Sequence, residues 1–301
     1  MTRNHLVAAA LGLALAVPQT FAQTTPVPPP LVIQSVETRW TDVFCDLTEV
    51  SRPNPGEVMV RVRYRNLGKQ PMRFPHLTNA MSLTELLDAA NGVVYGPLQD
   101  EKRRIVGSST IDDINSGRTV PAGGSQAHWV KLTAPPEGVT TVSVVAPGAV
   151  VFDDVVIGAK PAMKPRTAAR QPIATQEGEP EGIAVEVLDA RRTAAGVVTI
   201  VWRYRNGGTQ RLSFPGLTNQ VGKVYVLHSG SSTKYPPITT KDRHLVGGTT
   251  LALAETGGAA VRPGETLTTW AKFQAPPESA KSVTFVVPGA PPFENVPLAG
   301  S

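Results

Sequence analysis

Apolar and polar positions alternate without a break from Val58 to Arg65: Val58, Val60, Val62 and Tyr64 are interleaved with Met59, Arg61, Arg63 and Arg65. The pattern returns at Val198, Ile200, Trp202 and Tyr204, interleaved with Thr199, Val201, Arg203 and Arg205. A period of two places the apolar set on one face of a β-strand and the arginines on the other. Turn residues tolerant of positive φ follow each run, Asn66-Leu67-Gly68 and Asn206-Gly207-Gly208, and then a second short alternation at Met72 and Phe74 or Leu212 and Phe214. The spacing predicts a β-hairpin at both places. Further short strands are predicted around 83–87 and 224–227, 93–98 and 234–238, 126–132 and 267–273, and 142–145 and 283–287, with Gly, Pro and Asn clusters between them. Only Ser82–Ala90 carries some helical character. Many short strands at this spacing predict an all-β fold.

The alternation belongs to a larger duplication. RYRNLGKQPMRFPHLTN (Arg63–Asn79) recurs 140 positions later as RYRNGGTQRLSFPGLTN (Arg203–Asn219), identical at eleven of its seventeen positions. At the same offset Tyr95 matches Tyr235, and RRIVGSST from Arg103 matches RHLVGGTT from Arg243. At an offset of 141, HWVKLTAPP from His128 matches TWAKFQAPP from Thr269, and APGAVVFDDVVI from Ala146 matches VPGAPPFENVPL from Val287. The second half is a copy of the first. Residues 158–182 between the copies are rich in Pro, Ala and charge and lack apolar periodicity, which predicts an exposed, solvated linker. The expected organisation is a leader at 1–22, a first β-domain at 23–157, the linker at 158–182 and a second β-domain at 183–301.

The run [VW]-R-Y-R-N-x-G, the segment Arg262-Pro263-Gly264-Glu265-Thr266 leading into Trp270-Ala271-Lys272-Phe273, and Ala275-Pro276-Pro277 ahead of a Val-rich strand together resemble the telokin-like immunoglobulin-fold modules of exported bacterial proteins. The stretch from Ala-Pro-Pro to Pro-Gly-x-x-x-Phe-[DE]-[DN]-Val is also similar to modules that precede outer-membrane-protein-A-type peptidoglycan-binding domains. The resemblance covers both copies and implies two tandem immunoglobulin-like β-sandwich domains. No peptidoglycan-binding domain is seen after the second copy, so a cell-wall role is not carried over.

The chain begins MTRNHLVAAALGLALAVPQTFAQ, with Arg3 ahead of an apolar run of 12 from Leu6 to Val17 and small residues around Ala22. This is the pattern of a secretory signal peptide, too short to span a bilayer, which needs about 20 apolar residues. Export to the periplasm or beyond, with cleavage near Ala22, is the expectation. The single cysteine, Cys45, excludes an intramolecular disulfide, so an exported chain of this kind must fold on its apolar cores. Cys45 lies in a stretch without a clear counterpart in the second copy and is expected to be a small buried residue. The 29 Lys and Arg stand against 24 Asp and Glu, and losing Arg3 with the leader leaves an excess of four. That excess is too small and too scattered to point to nucleic acid.

Catalytic chemistry finds little support. His76, His128, His228 and His244 face Gly216, Thr269, Asp88 and Arg104 in the other copy, so no histidine recurs, and no His-x-x-x-His or Cys-x-x-Cys spacing exists. The neighbouring acids Asp112-Asp113 and Asp153-Asp154 should point to opposite faces of a strand. Ser231-x-x-Lys234 falls in a predicted turn between strands, where acyl-transfer enzymes place that motif at a helix start. No metal, cofactor or catalytic residue is expected. The best binding candidate is a repeated Trp-x-Lys: alternation puts Trp129 and Lys131, and Trp270 and Lys272, on the face away from the core. An exposed Trp beside a cation can stack on a sugar or anchor a protein. The expected function is that of a non-catalytic exported binding or structural protein of the cell envelope, contacting a protein or glycan. The alternative is a hydrolase-like enzyme whose site forms from loops where the two copies meet.

Overall fold

The computed structural model describes residues 30–73, 84–108, 119–214, 223–228, 233–243, 245–248 and 259–300. The leader, FPHLTN with its copy beyond Phe214, His76, His244, Asp112-Asp113 and Ser231 lie outside the described residues. The first half holds β1 (Gln34–Glu37), β2 (Val43–Ser51), β3 (Glu57–Asn66), β4 (Met72–Arg73), β5 (Glu85–Asp88), β6 (Val93–Tyr95), β7 (Thr119–Val120), β8 (Ser125–Thr133), β9 (Thr141–Val145) and β10 (Phe152–Val156). The second holds β11 (Ala174–Glu177), β12 (Ile183–Arg192), β13 (Val197–Asn206), β14 (Leu212–Phe214), β15 (Tyr225–His228), β16 (Lys234–Tyr235), β17 (Ala259–Val261), β18 (Thr266–Gln274), β19 (Ser282–Val286) and β20 (Phe293–Pro297). The fold is all-β, and among the described residues no helix is long and apolar enough to cross a membrane. Within Ser82–Ala90 the described residues form strand β5.

Four four-stranded antiparallel sheets carry the architecture, in the orders β1-β2-β3-β8, β10-β9-β5-β6, β11-β12-β13-β18 and β16-β15-β19-β20. Within each half two such sheets share one core. Val60 and Val62 of β3 and Leu132 of β8 join Leu86, Val144 and Phe152 from the facing sheet. Ile200 and Trp202 of β13 and Phe273 of β18 join Val226, Phe285 and Phe293. The expected hairpin after RYRN does not form: β3 pairs with β2 and β8, while β4 pairs with β7 and β14 with β17. The Asn-x-Gly turn carries the chain out of the sheet because the strand it leaves is central and already has a neighbour on each side.

The repeated motif residues turn out to hold turns and strand edges. Tyr64 and Tyr204 are buried, and their hydroxyls donate to the carbonyls of Pro147 and Pro288 at 2.8 and 3.1 Å. The Asn66 amide donates to Gln70 and Val120, and Asn206 to Gln210 and Val261. Arg52 donates to the carbonyls of Pro135, Pro136 and Val139, and Arg192 repeats this on Pro276, Pro277 and Ala280, which explains the recurring Ala-Pro-Pro. Gly107 and Gly247 recur because an added Cβ would stand 2.8 Å from the carbonyl of Trp129 and 2.9 Å from that of Trp270.

The arginines of RYRN lie on the outer face, as the alternation predicts, and are engaged there. Arg63 and Arg65 both bind the fully buried Asp46, and Arg203 and Arg205 both bind Glu186. A buried carboxylate needs such partners. Cys45 does have a counterpart: it pairs with Tyr64 in register as Val185 pairs with Tyr204. Burial pushes its thiol well above the usual range.

Residues 158–182 are mostly exposed, as expected of a linker, but they are tied to both halves. Met163 bridges to Val32, the Arg166 amide donates to the Ser35 hydroxyl, and β11 adds an edge strand to β12. Both halves therefore extend into the segment between them.

Candidate functional site

Trp129 and Lys131 sit on β8 opposite Arg61 and Met59 of β3, and Trp270 and Lys272 sit on β18 opposite Val201 and Thr199 of β13. Both pairs point away from the core of their own half. Their surroundings differ completely. In the first half the outer faces of β3 and β8 alternate between buried and more exposed positions, with Trp129 half-buried and Lys131 26% exposed. In the second half burial is continuous from Leu267 to Phe273 and from Val197 to Trp202. Trp270 is 2% exposed and Lys272 0%, so the expected exposure of the second Trp-x-Lys pair is overturned.

What covers this face is the first half of the same chain. Leu188, Val201, Val246 and Trp270 join the apolar cluster of the first half. The Trp270 indole donates to the Ala149 carbonyl at 3.2 Å. The Lys272 ammonium donates to Asp153 at 2.5 Å and to the Thr199 hydroxyl at 3.0 Å. Asp153 also accepts from Arg191 at 3.0 Å and from Ser143 at 2.8 Å. Beyond Arg191 the ion pairs continue through Asp189 and Arg170 to Glu37. Thr41 and Lys241 add hydrogen bonds across the boundary, to Thr266 and Gly92.

Two irregularities aim these groups. A register shift in β10 spans Asp153 and Asp154, where Asp154 adopts a left-handed φ of 53°. Bulges redirect side chains and bend strands, and here both acids meet the second half: Asp153 takes Lys272, and Asp154 accepts the Ala194 amide at 2.9 Å. The prediction that these neighbours part to opposite faces missed the bulge. A second shift, between Val187 and Asp189, turns Leu188 out of its own sheet and into the first half.

Burial alone would hold the Asp153 carboxyl in its neutral form, but the charges of Lys272 and Arg191 outweigh it and leave the acid below its ordinary range. Burial likewise pulls the Lys272 ammonium below its usual value, with Asp153 opposing the shift. In the first half Lys131 pairs locally with Glu57 at 2.8 Å. The second half has Val197 at the position of Glu57, so Lys272 finds its acid in the other half.

A cavity of about 360 Å³ lies at the boundary, lined by Glu85, Leu87 and Val145 from one half and Thr240, Asp242 and Trp270 from the other. Among the described residues no histidine lines it. His128 is buried against Tyr64 in the first core. Lys234 lies over the Tyr225 ring, 4.4 Å from its centroid. Among the described residues no cluster of His, Cys, Asp and Glu is placed to hold a metal.

No family model matches the chain, and no curated protein matches it. Among solved structures it is similar to the YadV chaperone, at 12% identity and a TM-score of 0.16, over 84% of this chain and 96% of that one. A likeness that slight assigns neither fold family nor function.

Proposed function

We propose that the chain is a non-catalytic, exported protein of the cell envelope, built from two immunoglobulin-like β-sandwich modules, whose half-buried Trp129-x-Lys131 face docks a protein. Paired sheets around one core in each half support the sandwich reading. The leader pattern supports export. One observation carries the choice of a protein over a glycan: in the second module the same face, with Trp270 and Lys272, is already seated on a protein surface. It uses an indole hydrogen bond to a backbone carbonyl and an ammonium on a buried acid, chemistry suited to a folded partner. The copy in the first module, with Trp129 and Lys131, presents the same residue types half-buried.

A photo-cross-linking residue at position 129 of the protein lacking residues 1–22, mixed with envelope extract, is expected to capture a discrete protein. The same residue at Lys102, an exposed turn position, should capture none. Glycan binding lost in Trp129→Ala, with no protein cross-linked, would refute the protein-docking reading.

A further inference from the structure

The contact between the two halves joins different surfaces of equivalent modules. The second module contributes the outer face of β13 and β18, with Trp270 and Lys272. The first contributes the β10 bulge and its approach, Ala149 and Asp153. Such a head-to-tail contact between repeated units consumes one surface of each kind and leaves one of each unused, unlike a two-fold contact. The unused pair is present in this chain. The first module keeps the face of Trp129 and Lys131. The second keeps the bulge: Ala290 stands for Ala149, Glu294 for Asp153 and Asn295 for Asp154. The bulge is reproduced in detail, with a register shift between Phe293 and Val296 and a left-handed φ of 54° at Asn295. Glu294 and Asn295 are exposed.

We propose that the protein associates head to tail with further copies of itself, the Trp129 and Lys131 face of one molecule seated on the Ala290 and Glu294 bulge of the next. This rests on the docking face proposed above and names its partner. In the contact Trp129 donates toward the Ala290 carbonyl and Lys131 turns from Glu57 toward Glu294, repeating the roles of Trp270 and Lys272. Arg61 and Lys131, paired on their own surface with Glu49 and Glu57, can exchange these partners for Glu294 on the other. The contact is weaker than its intramolecular template. Arg61 replaces Val201, Thr48 replaces Leu188 and Lys234 replaces Val94, and association between molecules lacks the high effective concentration of a tether. The assembly is open-ended, growing with concentration.

Sedimentation velocity of the protein lacking residues 1–22, from about 1 µM to about 1 mM, covers the range of weak but specific association. The weight-average sedimentation coefficient is expected to rise with concentration, and Trp129→Ala and Glu294→Lys are each expected to abolish the rise. Trp129→Ala keeps an intact bulge and Glu294→Lys an intact Trp face, so an equimolar mixture of the two should form dimers that grow no further. If Trp129→Ala shifts the thermal midpoint, Lys131→Glu takes its place in the mixture. A wild-type protein monomeric throughout, variants that associate undiminished, or a mixture that stays monomeric overturns the proposal. Monomers that still cross-link a different protein from position 129 sink self-association alone and leave the docking face standing.

Discussion

Arg203 and Tyr204 are neighbours with opposite roles in one strand, and both roles are structural. The Tyr204 hydroxyl ties the core strand to the Pro288 turn, as Tyr64 does at Pro147. Tyr204→Phe should cost about 1 kcal/mol, the net value of one hydrogen bond. Tyr204→Ala should cost about 3 kcal/mol or more through the cavity it leaves. Arg203 is 16% exposed on Glu186 whereas Arg205 is 52% exposed on the same acid. Removing Arg203 strips a buried carboxylate of its closer, drier partner, a loss of about 2 kcal/mol, while Arg205→Ala should cost less than about 1 kcal/mol. Urea unfolding of the four variants checks the order, and an Arg203→Ala protein as stable as wild type would show that Glu186 is satisfied without it.

At the scale of elements, the core strands were legible because Val58 to Tyr64 and Val198 to Tyr204 write their period directly in side-chain type. The match of β2 to β12 was not. Over ten residues the two segments share only Arg52 and Arg192, and at several other places they keep the kind of residue, Asp46 for Glu186 and Cys45 for Val185. The covered outer face of β13 did leave a trace. VVTIVW carries Thr199 and Val201 where the first copy has Met59 and Arg61, and a strand apolar on both faces is one buried on both faces. Alternation placed Trp-x-Lys on the face away from the core in both copies, but it says nothing of what packs on that outer side. Within segment 158–182 the strand β11, ATQE, was missed because it is a polar edge strand held mainly through its backbone. A fragment beginning at residue 171 should therefore unfold at higher urea than one beginning at 183. Equal midpoints would mean that β11 adds nothing to the second half.

Across the whole molecule, the two halves are joined by a contact in which apolar packing borders a line of buried and half-buried charge. Such a contact is sensitive to loss of one partner. Lys272→Met leaves Asp153 with Arg191 as its one cation and should destabilise the chain by about 3 kcal/mol or more, whereas Lys272→Met with Asp153→Leu should recover most of it, because an apolar pair of similar size removes the cost of desolvation. The same pair sets a pH dependence with a definite sign. The Asp153 carboxyl sits below its ordinary value in the folded protein because Lys272 and Arg191 outweigh its burial. A depressed acid contributes stability that is fully present above the unfolded value, near 3.9, and is lost as the pH falls through the folded one. The contact between the halves should thus be flat from about pH 5 to 8 and open below about pH 4, seen as faster amide exchange along β13 and β18 while β2 and β3 stay protected. In Asp153→Asn that acid-dependent step should be absent. Opening at the same pH in the variant would remove Asp153 from the centre of the contact.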